Sequence, residues 1–109
     1  APGETVFIAG QYGSDKTGAV VSPEFAAQAD QAIENLQAAL ASVGLGIEHV
    51  ARIGTYIVDH DEQKLETLPD ALKRTWGDDL PAQTLIGVAT LALPGMLFEI
   101  DAIAVRERA

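Results

Sequence analysis

Two acidic residues in an apolar strand are the groups in this chain best placed to do chemistry. Phe98-Glu99-Ile100-Asp101-Ala102-Ile103-Ala104 alternates with the period of a β-strand. That period puts Leu97, Glu99, Asp101 and Ile103 on one face and Phe98, Ile100, Ala102 and Ala104 on the other. A carboxylate in such surroundings must be solvated, paired or functional, because an unpaired buried charge is too costly. A solvated sheet edge accounts for Asp101. It accounts less well for Glu99, flanked directly by Phe98 and Ile100. A glutamate in an apolar cleft holds its proton more tightly than in water and can exchange it near neutral pH. A second cluster, Asp59-His60-Asp61-Glu62, could offer ligands to a divalent ion. Asp59 also suits a turn after a strand, Asp61 and Glu62 suit a helix N-terminus, and no second His/Asp/Glu set completes a coordination sphere. No metal is therefore assigned, and His49 reads as a loop or strand-edge residue.

The elements that must position Glu99 follow from hydrophobic periodicity. Glu4 to Gln11 reads as a strand that Gly10 ends or bends, either as a simple β-bulge or where backbone must pass close to another group. Asp15-Lys16-Thr17-Gly18 is a turn, and Ala19-Val20-Val21 returns as a short strand. Ser22 is the expected N-cap of a helix with Pro23 in its first position. Its apolar stripe is Phe25, Ala29, Ala32, Ile33, Leu36, Leu40 and Val43, its polar face Gln28, Asp30, Gln31, Glu34, Asn35 and Gln37, and Gly44 and Gly46 stop it. The stretch 47–58 contains a strand with Val50, Arg52, Gly54, Tyr56 and Val58 on one face. A second helix over 61–76 carries Leu65, Leu68, Leu72 and Trp76, with a kink or restart expected near Thr67–Pro69. Pro81 to Ala89 is a further strand, joined through Leu93-Pro94-Gly95 to the Glu99 strand as a closing hairpin, and Arg106-Glu107-Arg108 is a charged tail. The order β-β-α-β-α-β-β predicts a single α+β domain over 1–109, a two-layer sandwich with both helices on one face of the sheet.

Composition narrows the function classes. The 109 residues include no cysteine, which excludes disulfides, thiolate catalysis and Cys-ligated zinc and fits a cytoplasmic protein. Hydrophobic residues make up 48%, yet no apolar run approaches the roughly 18–20 residues of a membrane span, and no leader pattern is visible. Seven Lys and Arg against 16 Asp and Glu give a net charge of −9. The basic residues are scattered, so neither a nucleic-acid partner nor a membrane surface is expected.

The stretch Pro81-Ala82-Gln83-Thr84, an apolar strand, Leu93-Pro94-Gly95 and Glu99-Ile100-Asp101-Ala102-Ile103-Ala104 resembles the C-terminal motif of the Rid family, the YjgF-like reactive-intermediate deaminases. That motif runs roughly P-A-R-T, strand, L-P-x-P-G, E-I-E-A-I-A. Ala9-Gly10-Gln11 is similar to the family's S-G-Q at the rim of the substrate pocket, Gln31-Ala32 with Asn35-Leu36 to its Q-A-L-x-N-L, and Arg52 with Thr55-Tyr56-Ile57 to its D-V-V-K-x-T-V-Y-L. The sequence begins, at Ala1-Pro2-Gly3, after the point where the family carries its G-P-Y-S segment, whose tyrosine lines the pocket, so that either the segment precedes these residues or this member does without that wall; the family's V-N-x-x-Y asparagine is not kept near Thr67. The resemblance implies a chorismate-mutase-like fold with a mixed sheet, a homotrimer with small-molecule pockets in the clefts between subunits, and no cofactor. It also implies that Glu99 is catalytic, positioning or activating the water that hydrolyses an imine or enamine, and that Gly10, Ala9, Gln83 and Leu85 contact substrate. Some relatives carry an endoribonuclease or translation-inhibitor label, which the acidic composition here does little to support.

Gln83 departs from the pattern, standing where the deaminases place a carboxylate-binding arginine. A guanidinium matches a carboxylate with two charge-assisted bonds, whereas the amide offers at most a neutral one, a loss on the order of 1.5–3 kcal/mol per contact. Leu85, on the same side as Gln83, makes that wall more apolar, and Arg52 is the nearest candidate to compensate. The expected function is imine or enamine hydrolysis with altered specificity. The alternatives are a pathway-specific enzyme using Glu99 for a different proton transfer, and a non-catalytic trimer that binds a small metabolite or a protein partner.

Overall fold

The computed structural model of the chain describes residues 3–107. Its elements are β1 (Gly3–Tyr12), α1 (Phe25–Ser42), a 3-10 turn (Ile47–His49), β2 (Val50–Val58), α2 (Glu62–Trp76), β3 (Ala82–Val88) and β4 (Phe98–Glu107). The four strands form one mixed sheet in the order β1-β4-β2-β3, with β1 and β2 antiparallel to β4 and β3 parallel to β2. Both helices pack on one face of it, the expected two-layer α+β sandwich. No described helix is long and apolar enough to cross a membrane.

The core lies between the helices and one face of the sheet. The stripe Phe25, Ala29, Ala32, Ile33, Leu36 and Leu40 of α1 and Leu68, Ala71, Leu72 and Trp76 of α2 meet Ile53 and Ile57 of β2 and Phe98, Ile100, Ala102 and Ala104 of β4. Phe25 and Phe98 pack edge to face with ring centroids 5.8 Å apart. Burying every second residue of β4 on the helix side fixes Glu99 and Asp101 on the other, helix-free face.

Several expectations are corrected. β3 and β4 do not form a hairpin: α2 carries the chain from β2 to a parallel β3, and the loop 89–97 then returns past the end of β2 so that β4 inserts between β1 and β2. Asp101 therefore sits in a central strand, not at an edge. The short strand at Ala19–Val21 is reduced to one bridge, Ser14 to Val20. Helix α1 begins after Ser22, whose hydroxyl accepts from Glu24 N–H at 3.0 Å, while Glu24 takes the capping position and its carbonyl accepts from Gln28 N–H at 3.0 Å. Helix α2 runs through Pro69 without a restart, and Pro69 and Leu65 both lie on its exposed side. A bulge between Val50 and Arg52 turns Val50 toward the core and leaves Ala51 exposed. Arg106 and Glu107 are part of β4, not a tail: Arg106 lies 3.6 Å from Glu4 and donates to the Val43 carbonyl. Arg108 lies outside the described residues.

Two polar residues of α1 turn inward instead of facing water. Gln28 is fully buried; its amide nitrogen donates to the Ser22 and Gly95 carbonyls at 2.8 and 2.9 Å, and its oxygen accepts from Leu97 N–H at 2.8 Å. Asn35 donates to the Tyr12 and Ser14 carbonyls at 2.9 and 3.1 Å. These bonds anchor the end of β1 and the entry to β4, the two segments that flank Glu99.

Candidate functional site

Glu99 lies on the open face of the sheet, with Tyr12 of β1 and Tyr56 of β2 as its cross-strand neighbours. The expected bulge is present: the β1–β4 register shifts between Ile8 and Gln11, which frees Ala9 and Gly10 from the ladder. Gly10 is also packed against the carboxyl group. A Cβ at that position would fall 2.5 Å from Glu99 Cδ and 2.7 and 2.8 Å from its oxygens, so the residue must be glycine if Glu99 is to keep this rotamer. Among the described residues no cation pairs with Glu99: Arg106 is engaged with Glu4 and Arg74 with Asp30 at 2.7 Å. Partial burial, and secondarily the charge of Asp101, hold the Glu99 carboxyl above the usual glutamate range.

Asp101, two residues along the same face, is fixed from β2. Its Oδ1 accepts from Gly54 N–H at 3.0 Å and its Oδ2 from the Tyr56 hydroxyl at 3.0 Å. That bond raises the Tyr56 phenol above its ordinary value, with burial and the Asp101 charge adding to it. A side chain at Gly54 would overlap both groups, coming 2.7 Å from the Tyr56 hydroxyl. In the sequence Tyr56 falls in a motif resembling the family's and shares a face with Gly54, but nothing there shows that Asp101 is opposite Gly54. Ala9 is exposed and lines, with Phe7, Arg52 and Asp101, a shallow cleft of about 340 Å³ on this face.

Gln83 and Leu85 lie elsewhere. In the parallel register they are opposite Ile53 and Thr55, whose side chains face the helices, so they project from the other side of the sheet. Gln83 donates to Thr55 Oγ1 at 3.1 Å, and that hydroxyl donates to the Thr84 carbonyl at 3.2 Å. The two residues line a cleft of about 340 Å³ between α2 and β3 whose other walls are Leu65, Leu68, Pro69, Leu72 and Leu80. Leu65 and Leu80 are 51% and 45% exposed there, and the Gln83 amide is the cleft's polar side chain. One chain thus does not bring the expected site residues together: Glu99, Gly10 and Ala9 occupy one face, Gln83 and Leu85 the other. Arg52 does not stand in for an arginine at Gln83. It reaches across the open face to donate to Thr84 Oγ1 at 2.9 Å. Asp61 caps α2, accepting from Lys64 N–H at 2.9 Å, and Glu62 lies in its first turn. Among the described residues no group of three His, Asp or Glu side chains gathers as metal ligands would.

Comparison with known proteins identifies the family and the fold. The family model described as Endoribonuclease L-PSP matches residues 1–106. A RutC family protein of Pyrococcus horikoshii is 31% identical over 96% of this chain and 82% of its own. The human 2-iminobutanoate/2-iminopropanoate deaminase is 31% identical over 94% of this chain and 73% of its own. The crystal structure of a Rid family protein of unknown function from Yersinia pestis superposes with a TM-score of 0.87 at 36% identity, covering 94% of this chain and 78% of that one. A family match along almost the whole chain, relatives above 30% identity and a shared fold leave one assignment: the chain belongs to the YjgF/Rid/RutC family.

Proposed function

We propose that this protein is a hydrolase of reactive imines or enamines whose substrates lack a free α-carboxylate, and that it works as a homotrimer in which Glu99 of one subunit faces the Gln83–Leu85 cleft of the next. The observation that carries the reading is the state of Glu99: half-buried, unpaired by any described cation, set against the Gly10 backbone and holding its proton above the usual range. A glutamate neutralised by Arg52 or Arg106 would have favoured a binding protein; both arginines are engaged elsewhere. Relatives named 2-iminobutanoate/2-iminopropanoate deaminase, from human, rat and a mite, support the reaction class. The assembly is supported by the separation of the two half-sites on opposite faces and by the apolar groups on the open face, with Phe7 75% and Ile86 44% exposed.

The chemistry needs one carboxyl group. Glu99 donates its proton to the imine nitrogen, and the resulting carboxylate takes a proton from water as the water oxygen bonds to carbon. The carboxyl then protonates the amine, the C–N bond breaks with its electrons on nitrogen, and the new hydroxyl returns its proton to Glu99. The products are ammonia and a carbonyl compound. The cleft walled by leucines and one neutral amide suits an apolar substituent better than a carboxylate.

The test follows ammonia release from freshly generated imines with and without an α-carboxylate. Wild type is expected to turn over the uncharged members, Glu99→Ala to lose that turnover by 10²-fold or more, on the order expected for general acid–base catalysis. Gln83→Arg is expected to bring in the carboxylate-bearing members. Robust turnover of 2-aminoacrylate by wild type would overturn the specificity reading, and no turnover of any member would overturn the hydrolase reading.

A further inference from the structure

The proton chemistry proposed for Glu99 needs a carboxyl group that still holds its proton near neutral pH, and the structure places a second acid where it would enforce that. Residues i and i+2 of a strand lie on one face about 7 Å apart. Asp101 occupies that position relative to Glu99 and cannot swing away: Gly54 N–H holds one oxygen and the Tyr56 hydroxyl the other, each at 3.0 Å. A donor on each oxygen is the arrangement a carboxylate makes. Gly54 leaves room for both side chains, since a Cβ there would strike Asp101 Oδ1 and the Tyr56 hydroxyl.

The other groups facing Glu99 do not cancel that charge. From β1 it meets the Gly10 backbone and Tyr12, whose hydroxyl donates to the Gly18 carbonyl. From β2 it meets Tyr56, already committed to Asp101; Arg52, which keeps its charge while donating to the neutral Thr84 hydroxyl, lies on the far side of Asp101, opposite Ile103. The helices pack on the opposite face.

We propose that Asp101 is a positioning residue whose fixed negative charge, clamped by Gly54 and Tyr56, adds to burial in keeping Glu99 the proton donor of the site. This rests on the hydrolase reading for its use, but the arrangement is testable without substrate. Raised proton affinity at Glu99 from burial and from the neighbouring charge are distinct causes, and only the second depends on Asp101.

The experiment is a carbon-13 NMR titration of the glutamate side-chain carboxyls in the full chain, with the Glu99 signal assigned by its loss in Glu99→Gln. Asp101→Asn keeps an acceptor for Gly54 N–H and a partner for Tyr56 while removing the charge. The Glu99 midpoint is expected to move down in Asp101→Asn. In wild type it is expected to move down between about 0.1 M and about 1 M salt, where the Debye length falls from about 10 to about 3 Å. The alkaline limb of the kcat/KM profile with an uncharged imine should shift to lower pH in the same variant, a change that a merely structural role would not produce. An unmoved midpoint in folded Asp101→Asn overturns the proposal. Should that variant not fold, an unmoved wild-type midpoint between the two salt concentrations overturns it. Failure of every imine in the turnover panel would remove the hydrolase reading and leave the titration result intact.

Discussion

Glu99 is in a setting that costs the fold something, and the cost has a pH dependence. Its carboxyl binds a proton more tightly in the folded chain than in the unfolded one. Between the unfolded value, about 4.3, and the higher folded one, the folded state carries the extra proton, so stability falls as pH rises through that window. Below it both states are protonated and nothing is lost. Glu99→Gln removes the titrating group but keeps the shape. Its thermal unfolding midpoint is therefore expected above that of wild type at pH 7 and level with it near pH 4, when both are followed by circular dichroism across pH. An equal difference at both pH values would mean that packing, not ionisation, separates the two proteins. A group kept at an energetic disadvantage in the open face, with a glycine cut to its outline, fits the reactive role proposed for it.

At the scale of elements, the parts of the chain that a period could reveal were the parts read from sequence. The alternation of 97–104 placed Glu99 and Asp101 on one face because Phe98, Ile100, Ala102 and Ala104 had to be inside. The α1 stripe was equally plain. What periodicity could not carry was which strand lies beside which: Pro94-Gly95 looks like a hairpin turn, but it belongs to a loop that steps past β2, and only the pairing shows it. The same limit hid the Asp101–Tyr56 contact, made between strands 45 residues apart in sequence. Gln28 was hidden for a different reason, since a glutamine on a helix reads as solvent-facing unless its backbone partners are known. Those partners give it a measurable role. Gln28→Ala leaves the Ser22 and Gly95 carbonyls and the Leu97 N–H without their partner in the interior. At about 1–3 kcal/mol for each unsatisfied group, water entry recovering part of it, a loss of about 3 kcal/mol in urea unfolding is expected. A loss under about 0.5 kcal/mol, the range of an ordinary surface change, would show that the two loops hold their places without it.

For the molecule as a whole, the decisive fact is that the residues of the proposed site lie on opposite faces of one chain's sheet. Glu99 and Gly10 look out from the open face, while Gln83 and Leu85 look into the α2–β3 cleft. If the proposed ring of three copies closes each site from two neighbours, damage to one half can be repaired by an undamaged neighbour. Glu99→Ala lacks the proton donor in every site; Leu85→Asp puts a charge into every apolar cleft. Each variant alone is expected to be inactive toward uncharged imines while keeping the wild-type sedimentation coefficient. When the two are unfolded together in equal amounts and refolded, random assembly gives about one site in four a wild-type Glu99 from one subunit and a wild-type cleft from the next, so about a quarter of wild-type turnover should return. A site built within single chains could never recover this way, because every chain in the mixture is defective. Activity no greater than the sum of the two variants, from a mixture shown to be hetero-trimeric by mass, would therefore sink the shared-site reading even if the trimer itself forms.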